Sequence, residues 1–210
     1  KRGPFELVGD FAYWNFEDNM AFTEKMLSTV VQKLKGTMKF KTLNKNEEQV
    51  EVNLAPPWKR ISFRELLNND CGIDIDTYPD AESLREAISA KGIVLEGAEK
   101  LGRGNLIDAL YKKVSRPRLI DPVFLINHPI DLSPLARKND KNPLVADRFQ
   151  LVINGWEIVN AYSELIDPAD QRERLQEQMK LKQSGDEEAM SKDDEYIEAM
   201  EYGMPPVSGW

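Results

Sequence analysis

The sequence predicts an α/β chain of the α+β type, an antiparallel sheet flanked by helices. Three observations carry this. Apolar runs of strand length occur at Val123–Ile126, Arg148–Ile153 and Trp156–Leu165. The last two are joined by Asn154-Gly155, a dipeptide that accepts the positive φ angles of a type I′ turn. Around these strands lie segments with helical periodicity, so hairpins alternate with helices. The 210 residues suffice for one large domain. We read residues 1–210 as one unit with a small helical insertion around 62–116.

Taken in order, the aromatic run Phe11, Tyr13, Trp14, Phe16 is strand-like or a buried lead-in. Asp18 to Lys35 places Met20, Leu27, Val30, Val31 and Leu34 near helical spacing, and Gly36 is a natural stop. Met38–Leu43 and Gln49–Leu54 flank the polar stretch NKNEE and read as a hairpin. Ser62-Phe63-Arg64-Glu65 has capping-box spacing and opens a short helix. Pro79-Asp80 opens another, through Ser89. The stretch 72–100 is charged, with a thin apolar pattern, and reads as a surface lobe. Asn105–Val114 is a third helix. Beyond the strands, Asp167-Pro168 starts a long polar helix through about Gln183, and a last helix runs from about Asp193 to Tyr202. The final PPVSGW carries no strand or helix end, which suggests a piece of a longer chain.

Composition narrows the chemistry. One Cys and one His cannot build a structural zinc site or an internal disulfide. Any His-dependent nucleophile would have to use His128, which reads as a structural residue near a strand end. Cys71 reads as a loop thiol. The acidic runs Asp186-Glu187-Glu188 and Asp193-Asp194-Glu195 read as solvated surface with acids at helix N-termini. The net charge of −8 argues against non-specific nucleic-acid binding, although a basic patch on one face is compatible with it. No apolar run is long enough to span a membrane, and the expectation is a cytoplasmic protein. What remains is chemistry run by carboxylates, hard metals or positioning.

The strand Trp156–Leu165 is the most informative segment. Period-two alternation puts Asn160, Tyr162 and Glu164 on one face. An aromatic beside a carboxylate receives a cation on an apolar stem. The strand is expected to be largely buried, and a buried carboxylate needs a partner. Glu164 therefore pairs either with an internal arginine, Arg148 or Arg172, or with a ligand. Glu157 has the opposite parity and would need a bulge, or a reach around the edge, to join the same pocket; otherwise it is a solvent-facing strand residue.

The stretch from Leu119 onward resembles the C-terminal half of the catalytic domain of class II lysyl-tRNA synthetases. The matching residues are Leu119–Phe124, Ser133-Pro134-Leu135-Ala136-Arg137, Arg148-Phe149, Asn154-Gly155, Glu157-Ile158, Asn160–Leu165 and Asp167-Pro168. Gly185–Met190 and Glu201–Pro206 follow in order, and weaker similarity reaches back to Phe11. The resemblance implies the class II synthetase catalytic fold and ATP-dependent charging of tRNA(Lys) with lysine through a lysyl-adenylate. It implies that Glu164 holds the lysine ammonium, Tyr162 lies along its stem and Asn160 meets its carboxylate side. Glu157, with the position of Gln150, would hold ATP-bound Mg²⁺, and the complete enzyme would be a homodimer. Such a reaction needs positioning and charge neutralisation rather than a protein nucleophile.

Three departures from the family pattern stand out. Gln150 occupies a position where the family usually has Glu as a second Mg²⁺ ligand. Before the first helix the family has a Glu and, two residues on, a Tyr; here Gly9 and Phe11 are nearest, with Asp10 as a substitute. The anticodon-binding domain and the first and third motifs have no counterpart in these 210 residues, so the segment by itself is expected to charge tRNA poorly. A second reading is a synthetase-like paralogue that binds an amino acid or adenylate without ligation.

Overall fold

The computed structural model describes residues 8–183, 185–186, 189–191 and 193–210. Its elements are β1 (Asp10–Ala12), α1 (Phe16–Lys35), β2 (Lys39–Leu43), β3 (Gln49–Asn53), β4 (Lys59–Ser62), α2 (Phe63–Cys71), α3 (Ala81–Ala90), α4 (Arg103–Val114), β5 (Val123–Pro129), β6 (Val145–Ile153), β7 (Trp156–Ser163), α5 (Pro168–Gln183), α6 (Asp194–Glu201) and β8 (Val207–Gly209). Six strands form one sheet in the order β1-β8-β7-β6-β5-β4, and β2-β3 form a separate hairpin.

Local chemistry sets the boundaries. The Asn15 side chain accepts from the amides of Glu17 and Asp18 and closes a capping box at the start of α1. Ser62 Oγ accepts from the Glu65 amide to open α2, and Asp193 Oδ1 accepts from Tyr196 to open α6. Asn154 and Gly155 adopt φ of 52° and 70°, the pair of positive angles a type I′ turn requires, and join β6 to β7.

The two faces of the sheet have different covers. Phe124, Phe149, Leu151 and Ala161 point to one face, where Met20 and Trp58 pack on them under α1. Val123, Leu125 and Ile61 point to the other, beneath Phe63, Leu67, Leu106, Leu110 and Tyr111 of α2 and α4. Each such fully buried large side chain contributes about 2–3 kcal/mol. Ile73, Ile75, Leu84 and Ile88 join this second core, so the thin apolar pattern of 72–100 supplies a buried seam. The second cover lies chiefly over β4 and β5. On that face Gln150 and Val152 of β6 are buried, and the surface opens toward Glu157 and Asn160 of β7.

Several sequence expectations are corrected. The expected antiparallel sheet flanked by helices is present, with one parallel pair, β4 with β5, joined by the long crossover that contains α2 to α4. Neither β4 nor β8 was legible: Lys59–Ser62 is mostly polar, Val207–Gly209 is three residues long, and pairing alone makes them strands. PPVSGW therefore does contain a strand. Strand β7 is not largely buried: Trp156, Glu157, Ile158 and Asn160 are exposed, with Trp156 opposite Ile153 and Glu157 opposite Val152 on different faces of the sheet. Cys71 ends α2 rather than lying in a loop, and its Sγ donates to the Leu67 carbonyl. Asp186 is 1% exposed instead of solvated. It accepts from the Gly102 amide and Asn105 Nδ2 and so places a negative charge at the N-terminus of α4. Leu7, Glu187 and Glu188 lie outside the described residues.

Candidate active site on the open face of the sheet

Register places the site. Gln150 on β6 faces Asn160 on β7, and Arg148 faces Tyr162. Tyr162 faces Gly209 on β8, and Gly209 faces Asp10 on β1. Cross-strand partners share a face, so Arg148, Gln150, Asn160, Tyr162, Gly209 and Asp10 all look outward from the open side. Glu164 continues the row just past β7, where it bridges to Ala136.

Glu157 joins the same face by a bulge. The β6-β7 register runs Leu151 to Val159 and then Val152 to Glu157, which leaves Ile158 unpaired. This extra residue reverses the parity of everything before it. As a result Gln150 Nε2 donates to Glu157 Oε2 at 3.0 Å.

Arg148 organises the middle of the site. Its Nε donates to Asn160 Oδ1 at 3.0 Å, and its Nη1 donates to the Leu132 carbonyl and Ser133 Oγ. With Asn160 Oδ1 engaged, its NH₂ group is the part left for an incoming oxygen. The turn Ser133–Ala136 is itself held from behind. Arg174, 7% exposed, donates to the Ser133 and Ala136 carbonyls and pairs with Asp170. First Arg174 and then Lys138 hold the Asp170 carboxyl below its usual value. Replacing Arg174 with Met would strand two buried carbonyls and is expected to cost about 3 kcal/mol. Urea unfolding of the variant checks this through a lowered midpoint at unchanged slope.

Glu164 is the electrostatic centre. Neither internal arginine reaches it: Arg148 is engaged as above, and Arg172 pairs with Glu201 at 2.7 Å. Among the described residues it has no cationic partner. Its neighbours are instead acidic or aromatic. Burial, and then the Asp10 carboxylate, push its carboxyl up to about 7. Tyr162 is pushed up to about 12 by burial and then by Glu164, and Tyr196 of α6 is raised by the same two causes. A Cβ at Gly209 would lie 2.5 Å from Asp10 Oδ1 and 3.6 Å from Glu164 Oε1. A side chain at this position would push the Asp10 carboxylate aside.

Asp10, rather than Gly9 or Phe11, is therefore the residue β1 gives to this face. Phe11 faces Ser208 and stacks on Trp14 with centroids 4.4 Å apart, on the α1 side. Sequence reasoning missed Gly209 altogether, because the register of a three-residue strand leaves no periodic trace. His128 is buried on β5 against Phe63, and burial holds its imidazole well below the usual range.

The donor set suits a divalent ion only in part. Glu157 is one hard ligand, but the amide beside it presents N–H to the carboxylate. Among the described residues no group of three or more His, Cys, Asp or Glu could hold a metal. The residues fit a Mg²⁺ carried in by a polyphosphate, which supplies most of its own ligands.

The site is an acidic, aromatic-lined patch on a mostly antiparallel sheet. Residues 7–210 match the tRNA synthetases class II (D, K and N), and the chain belongs to that family. Its curated relatives include the lysine–tRNA ligases of Aquifex aeolicus (41% identical over 199 residues), Thermosipho africanus (40% over 200) and Thermotoga maritima (41% over 198). These alignments cover 94% of this chain in each case, and 32%, 38% and 38% of the relatives. The chain thus spans about a third of the length of the curated relatives it matches. Among the described residues, no helix is long and apolar enough to cross a membrane.

Proposed function

We propose that this chain is the lysine-binding part of a lysine–tRNA ligase, which activates lysine with ATP and transfers it to tRNA(Lys). The observation that carries the reading is Glu164: a half-buried carboxylate with no cationic partner among the described residues, set beside a second carboxylate and an aromatic ring. The span agrees. Asn160 and Glu164 are four residues apart, about 13 Å of extended backbone. An extended lysine of ~7 Å between its charged ends, with a hydrogen bond of ~3 Å at each, fills that length.

In this reading Glu164 and Asp10 neutralise the ε-ammonium and Tyr162 lies along the stem. The Asn160 amide, oriented by Arg148, meets the carboxylate. That carboxylate attacks the α-phosphorus of ATP, the bond to the β-phosphate breaks, and pyrophosphate leaves. A terminal ribose hydroxyl of tRNA then displaces AMP from the carbonyl carbon. Glu157 would hold a nucleotide-borne Mg²⁺, which supplies charge neutralisation on the phosphates. The chain's contribution is binding and orientation. A cytoplasmic location and a homodimeric complete enzyme belong to the same reading, supported by the kinship with lysine–tRNA ligases.

The test is the pH profile of lysine binding. Below about pH 7 Glu164 is protonated and cannot pair with an ammonium; above it the carboxylate forms. Affinity should rise by about tenfold per unit toward pH 7 and then level off. Calorimetry in two buffers should also show proton release near pH 6.5, since the bound cation pulls the carboxyl back down. A flat profile without proton release would exclude Glu164 as the ammonium receptor.

A further inference from the structure

The helical lobe reaches the site through one arginine. Arg103, at the start of α4, has a side chain 19% exposed and commits its guanidinium to three partners. Nε donates to the Tyr78 carbonyl at 2.7 Å, Nη2 to the Ile75 carbonyl at 2.8 Å and Nη1 to Asp131 Oδ2 at 2.5 Å. Asp131 belongs to the short helical turn Ile130–Leu132, which follows β5. The main chains touch as well. A Cβ at Gly104 would lie 2.7 Å from the Asp131 carbonyl oxygen and 3.2 Å from the Leu132 amide nitrogen, so the first turn of α4 sits directly against that peptide. The same helix end is also held by Asp186, which accepts from the Gly102 amide at 3.0 Å.

The residues that follow Asp131 hold Arg148. Its Nη1 donates to the Leu132 carbonyl at 2.7 Å and to Ser133 Oγ at 3.1 Å, and its Nε donates to Asn160 Oδ1 at 3.0 Å. Among the described residues Arg148 forms no ion pair, so no carboxylate fixes its plane and the turn does. A guanidinium is a rigid fork, and a shift at one N–H moves the others. A displaced Leu132 carbonyl therefore turns Nε away from Asn160 and frees that amide to rotate.

We infer that Arg103 and Asp131 are positioning residues: through the Asp131–Ser133 backbone and Arg148, the helical lobe sets the orientation of the Asn160 amide, and with it the affinity for the carboxylate end of the substrate. The inference rests on the ligase reading, in which Asn160 meets that carboxylate. Two observations favour positioning over simple anchoring of the lobe. Ile73, Ile75, Leu84 and Ile88 already join the lobe to Leu106 and Leu110 in one apolar core, which holds it without the ion pair. The contact at Gly104 is with backbone, which cannot swing aside as a side chain can.

The test compares L-lysine with cadaverine, which carries the ammonium and the stem but no carboxylate. Asp131→Asn keeps the shape and removes the charge that pairs with Arg103. Its lysine affinity by calorimetry should fall about tenfold, near the lower end of what a hydrogen bond to a charged group contributes. Its cadaverine affinity should be unchanged. Gly104→Ala, which pushes the Asp131–Leu132 peptide without altering charge, should show the same split. Asp131→Glu should recover most of the lost lysine affinity. A readout that needs no ligand is the exchange of the Arg148 Nε–H with water, followed by nitrogen NMR. It should speed up by about fivefold or more in Asp131→Asn and in Gly104→Ala, as a locally loosened hydrogen bond does. Unchanged lysine affinity in both variants, or equal losses for lysine and cadaverine, would overturn the inference. A parent chain that binds no lysine would remove the ligase reading. Faster Arg148 exchange in both variants would then leave the positioning standing, and unchanged exchange would overturn it.

Discussion

Glu164→Gln is expected to abolish lysine binding and, at the same time, to stabilise the chain. The substitution keeps shape and removes charge. Losing one partner of a partly buried ion pair costs roughly 2–5 kcal/mol in binding, so affinity should drop by about a hundredfold or more. The stability effect has the opposite sign. A carboxyl raised to about 7 binds its proton more tightly in the folded chain than in the unfolded one. Its ionised form therefore costs stability that is absent below about pH 4 and fully expressed above about pH 7. Without lysine the variant should melt higher than the parent at pH 8 and alike at pH 4. Calorimetry and thermal melts at the two pH values read both effects. A variant that binds lysine normally, or melts lower at pH 8, would place the strain elsewhere.

The second large effect concerns Gln150. Gln150→Glu would put a second carboxylate against Glu157 at a position only 6% exposed. Two adjacent carboxylates repel unless a cation separates them. Without metal the variant should melt below the parent. With Mg²⁺ and ATP it should bind the nucleotide about tenfold tighter, because a charged oxygen is a harder ligand than an amide. Saturating Mg²⁺ with ATP should then recover much of the lost melting temperature, since a ligand that binds only the folded chain stabilises it. Unchanged nucleotide affinity with unchanged metal dependence would detach Glu157 and Gln150 from the phosphates.

How much of this was legible follows from the range of each signal. The Asn154-Gly155 turn, the capping residues and the helical stripes are local, and they mark the elements to within a few residues. The Asn160, Tyr162 and Glu164 row followed from alternation alone. Glu157 did not, because its membership depends on one unpaired residue, Ile158, and bulges have no periodic signature. Asp10 was a candidate only through its neighbourhood. Its place was fixed by β8, a strand that exists because Val207–Gly209 fills the gap between β1 and β7. Gly209 was invisible for the same reason. The open face itself could not be read from β7, whose apolar residues suggested burial. It depends on where the α2 to α4 cover ends, and that is a property of the packing.

The central claim is that the pocket reads the ammonium at the end of a lysine side chain. Titrating the intact chain at pH 8 with lysine, and then with norleucine, tests it most directly, because the two differ at the terminal amine. The account predicts saturable binding of lysine at one site and norleucine weaker by at least about a hundredfold, since norleucine leaves the Glu164 and Asp10 carboxylates without a cation. Equal affinity for the two amino acids would contradict it.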